Sequence, residues 1–101
     1  MTDRIEQAKA LASDARMKIL DWLKNPGNHF AHQMTGDPAE IGVCVTLIAE
    51  KLQMSQPTAS RHLDQLRRAG FLSVRRIGQW SFFSRNEEGL SDYGRWVRDS
   101  L

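Results

Sequence analysis

Met54-Ser55-Gln56-Pro57-Thr58-Ala59-Ser60-Arg61-His62-Leu63-Asp64-Gln65-Leu66-Arg67-Arg68-Ala69-Gly70 is the stretch on which the fold turns. Ser55 is a helix N-cap residue, and Pro57 falls in the first helical turn, where a missing N–H costs nothing. Ala59, Leu63 and Leu66 recur at helical spacing on one side with His62 flanking them, while Ser60, Arg61, Asp64, Gln65 and Arg68 point elsewhere. Gly70 ends the helix.

Upstream, Val45, Ile48, Ala49 and Leu52 give a short helix from Val43 or Thr46 to Gln53, joined to the first by a tight turn. Downstream, Phe71–Ile77 and Trp80–Ser84 are rich in aromatic and β-branched residues, and Gly78-Gln79 between them suits a two-residue hairpin turn with glycine first. Arg75 and Arg76 beside that turn predict a hairpin tip that projects charge.

The flanks are helical. Ile5, Ala8, Leu11 and Ala12 predict a helix from Thr2 to about Ser13, and Ser13 or Asp14 opens a second with Met17, Ile19, Leu20 and Leu23 on its apolar side. Asn25-Pro26-Gly27 stops it. Residues 25 to 42, with Gly36, Asp37-Pro38 and Gly42, read as a long loop. A last helix, Glu87 to Leu101, brings Leu90, Tyr93, Trp96 and Val97 onto one face, large for a terminal helix and better buried, with the first helix, against a second copy. The expected fold is therefore mainly α with a β-hairpin, a helix-turn-helix followed by a wing.

A chain of 101 residues has room for one domain, 1–101. It lacks the roughly 20 consecutive apolar residues of a membrane span, and Met1-Thr2-Asp3-Arg4 does not open a secretory signal, so a cytoplasmic protein is expected. The lone Cys44 permits neither an internal disulfide nor a cysteine-rich zinc site.

Charge is unevenly placed. Between residues 51 and 85, Lys51, Arg61, Arg67, Arg68, Arg75, Arg76 and Arg85 face only Asp64, a net +6 in a chain whose total is +2. That stretch suits a polyanion. A helix fits the major groove of B-DNA, and phosphates reward nearby arginines through counterion release. Gln56, Thr58, Ser60, Arg61 and Gln65 are the candidates for base edges, and Lys51, Arg67, Arg68, Arg75, Arg76 and Gln79 for phosphate or minor-groove contact. A winged helix that binds protein instead would need no such charge and would show an apolar patch there. Enzymatic chemistry has no support, because nothing places an orienting group or an oxyanion donor beside the histidines or the cysteine.

Three segments carry a family resemblance: Leu11 to Leu20 (LASDARMKIL), Ile48 to Leu52 (IAEKL) and Ser55 to Arg76 (SQPTASRHLDQLRRAGFLSVRR), the last containing Ser60-Arg61-His62-Leu63. Over about three quarters of its length the chain resembles the ArsR/SmtB family of bacterial dimeric repressors. The resemblance implies a homodimer joined by the first and last helices (Ile5, Ala8, Leu11, Leu90, Tyr93, Trp96, Val97), bound to an imperfect palindrome near a promoter and released by an effector, often a metal ion.

The sensing sites of that family are not matched. Where some members have Cys-x-Cys, this chain has Cys44-Val45-Thr46, one soft ligand short, and residues 87–101 contain no histidine. No cofactor is expected. His29, His32 and Cys44 are the remaining metal candidates, against the plainer reading of solvated loop histidines. Cys44 reads either as a reactive thiol at a helix N-terminus or as a buried, inert packing residue. His62 is expected to make a structural hydrogen bond.

Overall fold

A computed structural model describes residues 3–101, in the order α1 (Arg4–Leu11), α2 (Asp14–Lys24), α3 (Pro26–His29), α4 (Pro38–Ile41), β1 (Val43–Cys44), α5 (Val45–Leu52), α6 (Gln56–Arg68), β2 (Leu72–Ile77), β3 (Trp80–Arg85) and α7 (Glu87–Ser100). Among these residues no helix is long and apolar enough to cross a membrane.

The helix ends follow from their caps. Asp3 accepts from the N–H of Ile5, Ser13 from that of Arg16, Ser55 from that of Thr58 and Asn86 from that of Gly89. α5 and α6 close in the same way at their C-terminal ends. Gln53 and Gly70 both take positive φ, +57° and +86°. The N–H of Gln53 donates to Glu50 and that of Met54 to Ala49, just as Gly70 donates to Arg67 and Phe71 to Leu66. The first of these closures is the turn of the helix-turn-helix.

The core gathers Ile19, Leu20 and Leu23 of α2, Phe30, Val43, Ile48 of α5, Leu63 and Leu66 of α6, and Phe71 and Leu72. Ala59 is also fully buried, so the predicted inward side of α6 is the observed one. The wing is a hairpin in which Ile77 faces Trp80 and Leu72 faces Arg85. Gly78 takes φ +61° and Gln79 does not, the pattern of a turn that needs glycine first.

Three expectations are corrected. Residues 25–42 are not a bare loop: they hold α3 and α4, and Phe30 and Pro38 are buried. Gln33 closes the segment, its amide donating to the carbonyls of Gly36 and Gly42 (both 3.0 Å) while its oxygen accepts from the N–H of Cys44 at 2.9 Å. Val43-Cys44 is strand and not helix, pairing antiparallel with β3 in a sheet of order β1-β3-β2. The first helix ends at Leu11, and its inward residues are Gln7 and Ala10, with Leu11 at the core's edge. Ile5 and Ala8 face outward; Thr2, the predicted start, lies outside the described residues.

Candidate nucleic-acid interface

The wing stands beside α6 and leaves an open groove of about 540 Å³ between them. One wall is Gln56, Ser60, Asp64 and Arg67 of α6, spaced to share a flank of the helix. The other is the wing, with Val74, Arg76, Gln79, Trp80, Ser81 and Phe83, and the floor is Cys44, Val45 and Thr46 at the start of α5.

The five candidate base readers divide over two flanks and the crest of the helix. Gln56 and Ser60 line the groove. At 100° per residue Arg61 lies opposite the buried Ala59–Leu63–Leu66 side, at the crest with Pro57 and Arg68. Gln65 and Thr58 fall on the far flank, and Thr58 is engaged locally: its N–H donates to Ser55 Oγ at 3.3 Å, and its Oγ1 lies 2.9 Å from Ser55 Oγ.

The phosphate candidates also separate. Arg67 and Arg68 both hold Asp64, at 2.7 and 3.1 Å, and the Arg67 hydrogen bond, with both arginines' charge, keeps the Asp64 carboxyl below the usual range. These pairs are exposed, each worth no more than about 1 kcal/mol, so a phosphate competes with Asp64 at little cost. Lys51 is placed differently from expectation: its ammonium sits 5.1 Å from the Trp22 ring centre and 5.8 Å from that of Phe30, and neither ring lines the groove. Arg85, counted in the basic stretch, is structural. Its Nη1 donates to the Leu20 carbonyl at 3.0 Å and its Nε to Glu87 at 2.7 Å, which together with Arg85's charge holds the Glu87 carboxyl low.

On the wing, strand alternation sends neighbours to opposite faces. Arg76, paired with Ser81, faces the groove; Arg75, paired with Phe82, takes the other face. The tip is not purely charged, because Ile77 and Trp80 flank the turn and are 47% and 43% exposed. Asp64, Trp80 and Thr46 were missed as groove residues; the alternation around Val74 and Arg76 is the signal that marks the wing's groove face.

His62 makes the structural bond expected of it. Its Nδ1 lies 2.9 Å from Arg16 Nη1 and accepts, since a guanidinium has no acceptor, which leaves the proton on Nε2. Burial, and secondarily the Arg16 charge, hold the imidazole below its ordinary value.

The metal candidates are not brought together. His29 lies against Trp22 and Phe30, ring centres 6.5 Å apart in each case, and Cys44 is buried at the start of α5 with its N–H bonded to Gln33. Among the described residues no three His, Cys, Asp or Glu side chains are grouped as ligands of one ion. Burial favours the packing reading of Cys44 over the reactive one.

The proposed pairing residues split as well. Leu11, Leu90 and Tyr93 pack on the chain's own core, Tyr93 edge-on to Phe71 at 5.5 Å. Ile5 and Val97 remain 66% and 38% exposed, Ala8 is exposed, and Trp96 lies under the Arg4 guanidinium at 5.3 Å.

Known proteins match this arrangement. Residues 43–74, from β1 through α6 into the wing, match the model of the bacterial regulatory protein arsR family. An uncharacterized HTH-type transcriptional regulator of Bacillus subtilis (strain 168), YbzH, is 41% identical over 97 residues, 96% of this chain and 97% of that protein. The transcriptional repressor SdpR of the same organism is 34% identical over 88% of this chain and 82% of its own length. The solution structure of the homodimeric winged helix-turn-helix DNA-binding domain of Mb0332 from Mycobacterium bovis superposes with a TM-score of 0.63 at 26% identity, covering 94% of this chain and 77% of that one. With the closures of α5 and α6, the groove between α6 and the wing, and these relatives agreeing, the chain belongs to the arsR family of bacterial transcriptional regulators, with their winged helix-turn-helix DNA-binding fold.

Proposed function

We propose that residues 1–101 act in the cytoplasm as one domain that represses transcription, binding a palindromic operator as a homodimer paired through α1 and α7. The observation that carries this reading is the groove between α6 and the wing, with Arg61 and Arg68 on the crest beside it and Arg76 on its wall. The helix presents Gln56, Ser60 and Arg61 to base edges in the major groove, and Gln65 from the far flank. Arg67, Arg68, Arg75, Arg76 and Gln79 hold the phosphates on either side. Thr58 serves as part of the cap that orients the first turn, and Lys51 has no direct part. Repression is supported by the likeness to SdpR, named a transcriptional repressor, and pairing by the likeness to the homodimeric Mb0332 domain. Pairing would cover Ile5, Ala8 and Val97, which a single chain leaves exposed, and complete the cover of Trp96, which Arg4 only partly shields.

No effector is assigned, since the ligand pairs of the metal-responsive resemblance are incomplete in this chain.

The test is titration of palindromic duplex from the chain's own promoter at increasing salt. About four released counterions per protomer predict a log–log slope near −7 for the dimer, at about −0.9 for each phosphate neutralised. Salt-independent binding, or none, overturns the reading.

A further inference from the structure

Among the described residues, Gln7 is the buried polar side chain that neither the groove nor the apolar pairing face uses; it is 2% exposed. Its position is unusual for a surface helix. α1 turns this amide inward, where Nε2 donates to the backbone carbonyl of Ala69 at 3.1 Å, the C-cap of α6. Its Oε1 accepts from Arg4 Nη1 at 3.1 Å. The same guanidinium nitrogen reaches Asp92 Oδ2 on α7 at 2.9 Å, and the group lies over the Trp96 ring. One continuous polar chain thus runs from α7 through Arg4 and Gln7 to the end of the helix that lines the groove.

The attachment lies where it has leverage. α6 spans 13 residues, about 20 Å, with Gln56 at one end and the Gln7 bond at the other. A tilt of about 5° at the Ala69 end moves Gln56 by nearly 2 Å, enough to take a side chain out of hydrogen-bond reach. The same end is seated on α7, where Asn86 Nδ2 donates to the Gly70 carbonyl at 3.0 Å and Gly89 approaches that carbonyl so closely that a Cβ would overlap it. In a dimer joined by α1 and α7, the setting of each α6 relative to these helices determines the distance and rotation between the two reading helices.

We infer that Gln7 is a positioning residue that fixes α6 against the pairing helices and thereby sets the half-site spacing the dimer accepts, an inference that rests on reading the chain as a DNA-binding homodimer. One base pair of spacer shifts the half-sites by about 3.4 Å and about a tenth of a turn, so a rigidly held pair of helices rejects it. Gln7→Met keeps the length of the side chain and removes both hydrogen bonds. Arg4→Ala removes only the outer, half-exposed link.

The experiment measures binding of wild type and both variants to palindromic duplexes selected by the wild-type protein from a random-sequence pool, with the spacer unchanged or altered by one base pair. Sedimentation and thermal melting of the same samples report pairing and folding. The expected result is that both variants remain folded dimers while the wild-type penalty for a wrong spacer, about tenfold, falls to about threefold. Loss of stability alone would lower affinity for every spacer alike and leave that ratio untouched. An unchanged ratio in both variants overturns the inference, as does a wild type indifferent to spacing; if Gln7→Met fails to fold, Arg4→Ala decides. Failure of wild type to select any duplex overturns the DNA-binding reading itself, a different result.

Discussion

The α6–wing surface and the α1–α7 surface are both unfinished in a single chain, but in opposite chemical senses. The first presents arginines and short polar groups around an open groove, with the apolar residues of α6 turned into the core and Val74, Ile77 and Trp80 left exposed on the wing. The second presents Ile5, Ala8 and Val97 to solvent, and no residue of α7 is fully buried. A polyanion completes the first through released counterions, whereas a second apolar surface completes the second through area removed from water. The two are then energetically separable, apart from the polar contacts through Gln7, Asn86 and Arg16 that join them.

The largest expected effect comes from separating them. Ile5→Glu with Val97→Glu places charge on the pairing face at positions already exposed, so the fold of the single chain is preserved and a dimer would have to bury two carboxylates per protomer. Sedimentation should show a monomer. Affinity for a palindrome should drop by about 10²- to 10⁴-fold, the advantage that linking two binding events supplies, while affinity for a single half-site stays as it was. Tight palindrome binding by a monomeric variant would show that the α1–α7 surface has another use.

A smaller effect tests the division of labour inside the reading surface. Arg61→Ala should relax base preference at one position of each half-site, at a cost of about 1–3 kcal/mol. Arg76→Ala should instead weaken binding to every sequence and reduce the salt slope by about 1 for each protomer. Arg75→Ala should do the same to a lesser degree, because strand pairing places Arg75 on the wing face away from the groove. Equal losses from Arg75→Ala and Arg76→Ala would mean that DNA embraces both faces of the wing.

What could be read in the sequence and what could not divides by the range of the interaction. The helix opening at Ser55 was legible because its cap, its proline and the Ala59–Leu63–Leu66 spacing act within a few residues of one another, and Gly78 marked the wing turn for the same reason. β1 was not, because two residues become a strand only when Phe82 and Phe83 of a distant hairpin pair with them. Residues 25–42 looked loose for want of periodicity, yet the segment is held by Phe30 in the core and by three bonds of Gln33. Lys51 and Arg85 counted toward the basic stretch although the fold commits one to two aromatic rings and the other to Leu20 and Glu87. Charge in a sequence window says nothing of the partner a fold will supply. Gln7 was invisible on the same ground, its partner being a carbonyl 62 residues away.

The smallest expected effect lies at the other contact between the two regions. Arg16 donates to the carbonyls of Ala10 and Lys9 at the end of α1 and to His62 on α6, so the imidazole must be neutral at Nδ1 for the bond to stand. Burial and the Arg16 charge lower the folded-state pKa of His62, whereas the unfolded chain titrates near 6.5. Above that value both states are neutral and the contribution to stability is fully present. As the pH falls through it, the unfolded chain takes up a proton that the folded chain resists, and stability is lost down to the folded-state value, below which the loss levels off. The carboxylates of Asp64 and Glu87, held low by their arginines, contribute stability that is lost only in a more acidic range, so the two windows separate. Melting temperatures of wild type and His62→Gln between pH 8 and pH 5 should therefore diverge below about 6.5, wild type falling more steeply because the amide does not titrate. Parallel curves would mean that the Arg16–His62 bond is not maintained in solution, which leaves the Gln7–Ala69 bond as the polar link between α1 and α6.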